Sequence, residues 1–372
     1  MKFKIKTDEI KKISKKIVIP STNLINKIEF TGILINVFKN KITFETKGEF
    51  LSLKAILKKD FEIFKEGKVL VKSKLFNEII SKITDEFVEI HTMGDNVLII
   101  KSENYEYELN LMNSKEFEEE NFNVDSKDFF ILSYQKFFKL FKGVIFSGDI
   151  SAPRRILQGV NLVIENGIIK TSATDNTRAT ILKLSFNDQN LNLNKIIPIK
   201  VIQENLNIFE SSKELNILFS HNKILITSEN FISKGNLIEG VFPNVEKIFP
   251  IKFKNYLDIS KQEILNLIDG TTVINFNKNS DTNVIKFLFD KNEIIVEFRE
   301  LEIGYSSLKT KKFDFQGEKN FFISFNPRLL REAITNLDAE KIKIGFNDSN
   351  SPFVIFGKDS NFKSLILPYL MS

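Results

Sequence analysis

The 372-residue chain has no cysteine, no tryptophan and only two histidines. Without cysteine there is no disulfide, no thiol nucleophile and no thiolate to hold a metal. That composition fits a reducing compartment. His91 and His221 both fall in strand-like segments, and neither has metal-ligand spacing to another histidine. The usual zinc sites are therefore excluded. Gly357-Lys358 is followed by Asp359 and lacks the upstream glycine of a phosphate-binding loop, and neither GxSxG nor GxGxxG occurs. The acidic run Glu118–Glu120 reads as a solvated linker and not as a metal site. We therefore expect no catalytic residue, no metal and no cofactor. No apolar stretch approaches the roughly 18 residues of a membrane span. The opening MKFKIKTDEIKK also lacks a signal peptide's apolar core. The expectation is a cytoplasmic protein with no membrane partner.

What is present is a large apolar content, 42% of residues, with phenylalanine at 37 copies. Lysine, asparagine and isoleucine are also abundant, as AT-rich coding produces, so no single lysine carries weight. The net charge is +5, from 53 basic and 48 acidic residues. Such a mild excess permits a polyanionic partner without requiring one. The length suits two to four domains.

A unit recurs about every 127 residues. Thr7–Ile17 has Ile10, Ile13 and Ile17 at helical spacing, opposite Lys11, Lys12 and Lys15. One period later Phe137 and Leu140 take the places of Ile10 and Ile13, and two periods later Ile264 and Leu267 do. Each segment follows a short strand-like run: KFKI, then FFIL at 129–132, then YLDI at 256–259. A second helix repeats as 71–80, 198–209 and 324–334, with apolar pairs Leu75–Phe76, Val201–Ile202 and Leu329–Leu330 in register. Hairpin patterns follow each copy, turning at Gly, Asn or Asp. Each third thus reads strand, helix, strands, strand, helix, strands, which is an α+β unit with helices on one face of antiparallel sheet. The expected domains are 1–124, 125–250 and 251–372.

The residue before each apolar pair is cationic: Lys74, Lys200 and Arg328. On a helix each points away from the apolar stripe. On the first helix Lys12 and Lys139 match, with Lys136 nearby, but the third copy has Asn266 there, flanked by Gln262 and Asp269. Cations at one outward position in every unit suit phosphate contact, which works through counterion release and reads no sequence. An ordinary solvated face is the competing reading for any one of them.

Several segments resemble the beta subunit of bacterial DNA polymerase III, the replicative clamp family. LQGVNLVIENGIIKTSATDNTRAT at 157–180 is similar to that family's L-x-G strand followed by ATDG-x-R-L. EGVFPNVEKIFP at 239–250 and the terminal SLILPYLMS are similar to two further family segments, and MKFKI fits its start. The resemblance covers the full chain. It implies three repeated clamp-fold domains, with helices on the inner face and antiparallel sheets outside, in a head-to-tail dimeric ring. The implied function is a sliding clamp that encircles duplex DNA and tethers its partners through a peptide pocket. Those partners are the polymerase III catalytic subunit, the clamp loader and other proteins with a clamp-binding motif. A non-ring duplex-DNA-binding protein is the alternative.

By position, the pocket would use Leu157, Thr174, Asn176, Arg178, Ala179, Pro243, Lys247, Ile248, Leu365, Leu367, Pro368 and Tyr369. Asn176 and Ala179 depart from the family's Gly and Leu. Asn tolerates a left-handed turn, and Ala179 is expected to leave a wider pocket floor. Arg154 and Arg155 join the DNA candidates Lys12, Lys74, Lys136, Lys139, Lys200 and Arg328. The family's early basic loop position is Leu24 here, with Lys27 close by. The dimer interface would pair an edge strand at Tyr107 and Leu109 with a helix end at Val273 and Ile274.

Overall fold

Short runs rich in Ile, Val, Phe and Leu, some alternating with polar residues and some continuously apolar, fill the chain between its helices, and antiparallel sheet is the outcome. The computed structural model describes residues 1–20, 31–123, 128–274, 283–289, 292–300, 303–317, 321–357 and 361–369. Leu24 and Lys27 lie outside the described residues. Contacts divide the chain into two compact units, Met1–Phe137 with Lys200–Leu237, and Phe138–Ile199 with Ile238–Ser372.

The first unit holds two sheets. One has five strands in the order Phe61–Lys65, Lys2–Lys6, Phe87–Met93, Val97–Lys101, Glu106–Asn110. The other has eight: Asp128–Ser133, Glu214–Phe219, Lys223–Ser228, Phe231–Asn236, Leu51–Leu57, Lys41–Lys47, Gly32–Phe38, Gly67–Lys72. The larger sheet joins two sequence repeats, because Phe231–Asn236 pairs antiparallel with Leu51–Leu57, placing Ile232 opposite Lys54. An open strand edge of one repeat satisfies the backbone of the next, so the compact unit does not follow the sequence period.

Helix α1 (Thr7–Ile17) buries Ile10, Ile13 and Ile17 and packs on α2 (Ser73–Lys82). On α2 the buried stripe is Phe76, Ile79 and Ile80, whereas Leu75 is 42% exposed. This corrects the expected Leu75–Phe76 pair. Neighbouring residues stand about 100° apart on a helix, and here the stripe at i, i+3, i+4 leaves Leu75 on its flank. Helix α3 (Tyr134–Lys142) starts in this unit, and its Tyr134 hydroxyl donates to the Leu206 carbonyl of α4 (Ile199–Ile208) at 2.9 Å.

The acidic stretch after residue 115 also departs from the expected solvated linker. Phe117 is buried against Leu34 and Leu70. Lys68 bonds Glu119 at 2.5 Å and Lys234 bonds Glu120 at 2.8 Å. The Glu120 amide donates to buried Glu45 at 2.7 Å, which Lys54 also holds at 3.1 Å. Glu118 and Glu119 keep exposed side chains, Glu118 the more so. The stretch is docked because sheet lysines meet its carboxylates and an aromatic anchors it, neither of which local composition shows.

The second unit has a nine-stranded sheet in the order Leu193–Pro198, Gly159–Glu165, Ile168–Thr174, Arg178–Ser185, Phe362–Ile366, Phe353–Phe356, Lys341–Phe346, Asn255–Ser260, Phe313–Gln316. A four-stranded sheet runs Gly304–Thr310, Ile294–Glu300, Ile285–Phe289, Phe321–Phe325. Helix α5 (Lys261–Thr271) begins at Ser260, whose side chain accepts from the Glu263 amide at 3.1 Å. Helix α6 (Pro327–Thr335) begins at Asn326, which accepts from the Arg328 amide at 2.9 Å, with Pro327 in the first turn. Phenylalanine fills the core: Phe325 lies 5.0 Å from both Phe287 and Phe353. Such pairs add roughly 0.5–1.5 kcal/mol each beyond area burial.

The repeat survives into packing. Ile10, Phe137 and Ile264 are all buried, as are Ile13, Leu140 and Leu267.

Candidate peptide pocket and nucleic-acid face

The outward face of the nine-stranded sheet is built by cross-strand rows. In one row Thr174 stands opposite Ala179, and Ala179 opposite Leu365. All three are buried. The turn Thr174–Arg178 is tied by its own side chains. Asp175 Oδ1 accepts from the Thr177 amide at 2.9 Å and the Arg178 amide at 3.0 Å, and the Thr174 hydroxyl donates to the Arg178 carbonyl at 2.6 Å. Asn176 sits at φ +74°, the left-handed region that asparagine tolerates.

Arg178 is buried, and its guanidinium is committed. Nε donates to Asp175 at 2.8 Å, a second nitrogen bonds Glu332, and the group lies 5.5 Å from the Phe146 ring centre. It braces the turn against α6 instead of facing solvent. Glu332 and Phe146 were not singled out from sequence, because each lies far along the chain from residue 178 and neither carries a local motif.

Ala179 does not open a wide floor. It is fully buried in a cluster with Ile181 and Val245, against which Phe242 and Phe249 pack. The chain's own connecting segment covers the space that the smaller side chain frees. From that segment Pro243, Lys247 and Ile248 are exposed, Ile248 at 51%. From the C-terminal stretch Leu367 is 43% exposed and Tyr369 44%, with Pro368 half-buried. The Leu367 amide donates to the Thr177 carbonyl at 2.9 Å and that of Tyr369 to Ser324 at 2.6 Å, which pins the stretch beside the turn. Leu157 is buried in the 3₁₀ turn Arg155–Gln158, so the strand itself begins only at Gly159. Of the pocket candidates, Leu157, Thr174, Arg178, Ala179 and Leu365 are buried, with Arg178 and Ala179 on opposite faces of their strand, while Ile248, Leu367 and Tyr369 face solvent.

The cationic candidates are solvent-facing to different degrees. In the first unit Lys12, Lys74 and Lys136 are exposed and Lys200 half-buried. Lys12 pairs with Glu9 one turn away at 2.6 Å. Lys200 lies one turn before Glu204, a mostly buried carboxyl whose pKa burial pushes up to about 8, opposed by the nearby Lys200 charge and reinforced by Glu49. In the second unit Lys139, Arg154 and Arg155 are exposed and Arg328 half-buried. Lys139 stands 3.5 Å from Asp338. On α5, where the cation lapses, Gln262 bonds Asn266 at 2.8 Å, and Asp269 is held by Arg331 of α6 at 2.7 Å. Arg331 thus cancels the Asp269 charge on α5 and leaves the lapsed position without a cation of its own.

Glu106–Asn110 is the edge strand of its sheet, as expected. Leu109 is buried within its own unit, while Tyr107 is half-buried and stacks on Tyr105 at 6.4 Å. In the second unit Val273 is 72% exposed just beyond α5, and Ile274 is half-buried. Among the described residues no cluster of three or more His, Cys, Asp or Glu is placed to hold a metal ion, and no helix is long and apolar enough to cross a membrane.

Comparison with known proteins accounts for nearly all of the chain. Residues 1–122 match the N-terminal domain of the DNA polymerase III beta subunit, 131–244 its central domain, and 246–370 its C-terminal domain. The beta sliding clamp of Mycoplasma capricolum is 30% identical over 351 residues, 92% of each chain. That of Staphylococcus epidermidis is 26% identical over 97% of this chain and 95% of its own. Among solved structures, the DNA polymerase beta subunit of Streptococcus pyogenes superposes with a TM-score of 0.92 at 20% identity, covering both chains fully. The DNA polymerase sliding clamp of Bacillus subtilis gives 0.91 at 22%, again over both full chains. The fold is the clamp fold, and with all three domain types matched in order the chain belongs to the DNA polymerase III beta subunit family and works as a sliding clamp, a processivity subunit with no catalysis of its own.

Proposed function

We propose that two copies of this chain close head to tail into a cytoplasmic ring around duplex DNA, each contributing domains 1–124, 125–250 and 251–372. The observation that carries this reading is the cation at one outward position of the second helix in every repeat: Lys74, Lys200 and Arg328. With Lys12, Lys136, Lys139, Arg154 and Arg155 they would face phosphates without reading bases. Topology then holds the DNA, so contacts stay weak and the ring slides. The interface pairs the Glu106–Asn110 edge, at Tyr107 and Leu109, with the Val273–Ile274 turn of a second copy. An open strand edge and a solvent-facing valine both favour a protein partner.

The pocket of Leu157, Thr174, Asn176, Arg178, Ala179, Pro243, Lys247, Ile248, Leu365, Leu367, Pro368 and Tyr369 is proposed to take short peptides with a glutamine and apolar or aromatic anchors. These belong to the polymerase catalytic subunit, the clamp loader and other clamp-binding proteins. Exposed Ile248, Leu367 and Tyr369, on segments fixed beside buried apolar residues, suit such anchors. The test is to load the protein with its loader and ATP on nicked circular DNA, then linearise the DNA. Retention on the circle and release on linearisation is expected. Equal loss from both forms overturns the ring and favours a monomeric duplex binder.

A further inference from the structure

Beside the pocket row, on the same sheet face, lies a cavity that shares only Pro243 with the assignments above. Its volume is about 320 Å³, at the small end of ligand sites, which run roughly 300–1,000 Å³. Strand register fixes its place. Asn161 stands opposite Ser172, and Ser172 opposite Ile181. This row lies two residues along the strands from Thr174, Ala179 and Leu365. Two residues is about 7 Å, and side chains at that spacing share a face. Ile181 and Val245 serve both sites: they line the cavity and also belong to the cluster over Ala179. Pro243, a pocket candidate, lines it too.

The chemistry of the cavity narrows its occupant. The buried side-chain oxygen of Asn161 has no hydrogen-bond partner among the described residues. A buried acceptor left open favours a donor brought by a ligand. Val163, Ile181, Phe242 and Val245 supply apolar wall. The cations at its edge are already neutralised: Lys170 lies 3.4 Å from Glu246 and 3.9 Å from Glu165, and Lys183 bonds Glu246 at 2.6 Å. An anionic group would gain little there. The fitting ligand is a neutral hydrogen-bond donor with aliphatic surface, such as a side-chain amide on an extended peptide.

We propose that this cavity is a second subsite for the partner peptide, taking an amide-bearing residue that flanks the anchor. The proposal rests on the peptide-pocket reading above. It is tested by fluorescence anisotropy on the full-length protein with three labelled peptides. One is a hexapeptide with a Gln–aliphatic–aromatic anchor. The others add Ser-Gln-Val-Gln at its N- or C-terminus, each with an all-Glu extension as control. One amide extension should tighten binding about tenfold, the scale of one good buried hydrogen bond, and the Glu extension should not. Asn161→Leu should remove that gain and leave the hexapeptide's affinity unchanged. If Asn161→Leu also weakens the hexapeptide, Val163→Lys, which fills the cavity from two residues further along the same strand, decides in its place. No gain from either extension, or a gain that persists in the deciding variant, overturns the subsite alone. A hexapeptide that fails to bind the unmodified protein overturns the pocket and the subsite together.

Discussion

Glu204 sets a measurable pH dependence on stability. It lies on α4, mostly buried, with one carboxyl oxygen lacking a partner among the described residues. Burial raises its pKa from 4.5 to about 8, against the favourable charge of Lys200. The folded protein therefore holds a proton that the unfolded chain releases above its ordinary pKa. The stabilisation is full below about pH 4.5, falls as pH rises through neutrality, and is lost once pH passes about 8. At about 1.4 kcal/mol per pH unit the ceiling is roughly 4–5 kcal/mol, and local relaxation and water reduce it to about 2–3 kcal/mol near pH 7. Glu204→Gln keeps the shape of the protonated acid and removes the titration. Urea unfolding of both proteins should coincide near pH 4, with the variant more stable by about 2–3 kcal/mol at pH 7 and by somewhat more at pH 8.5. A constant difference across pH, or a variant weaker at pH 8.5, refutes the reasoning. The same protonation bears on function. A neutral Glu204 leaves the Lys200 charge uncancelled at neutral pH, so DNA retention should weaken above pH 8 in the parent and not in Glu204→Gln.

Other expectations follow from the two faces and the interface. Leu367→Asp, at an exposed position of the C-terminal stretch, should lower peptide affinity at least about tenfold with the dimer intact in sedimentation; burying a carboxylate at an apolar anchor carries that cost. Charge reversal at Lys74, Lys200 and Arg328 together should shorten the half-life on circular DNA about tenfold or more at moderate salt, the gap narrowing as salt screens both proteins. Arg178→Ala removes the partner of Asp175 and Glu332 and should destabilise the second unit by about 3 kcal/mol, read as a lower unfolding midpoint. Val273→Asp, at a side chain 72% exposed in the single chain, should yield monomers in sedimentation with unchanged secondary structure by circular dichroism.

Much of this protein was legible in one dimension. Helix period and alternation placed both helices of each repeat, and Ile10, Phe137 and Ile264 all proved buried. Spacing alone also singled out Lys74, Lys200 and Arg328 as outward positions, of which Lys74 is exposed and Lys200 and Arg328 are half-buried. These features are local, set by residues within a turn or two of each other. The lapse of cation on α5 was equally visible from spacing.

What local pattern cannot express, tertiary structure decided. Leu75 and Phe76 are equivalent as an apolar pair, and it is the longer stripe Phe76, Ile79, Ile80, pressed on its neighbours, that leaves Leu75 exposed. Glu118–Glu120 reads as solvated until Lys68 and Lys234, from distant strands, come to meet it. The sheets cross the repeat boundary because strand edges pair wherever a complementary edge is close, whatever its place in the chain. Arg178 becomes a brace only when α6 brings Glu332 to it, and the freed space at Ala179 closes only when Val245 folds over it. The sequence by itself determined which residues form each helix and strand and which side of each is oily, since those depend on neighbours in the chain. Which charges are neutralised and which apolar groups stay in water depends on neighbours in space, and those only the packed structure supplies.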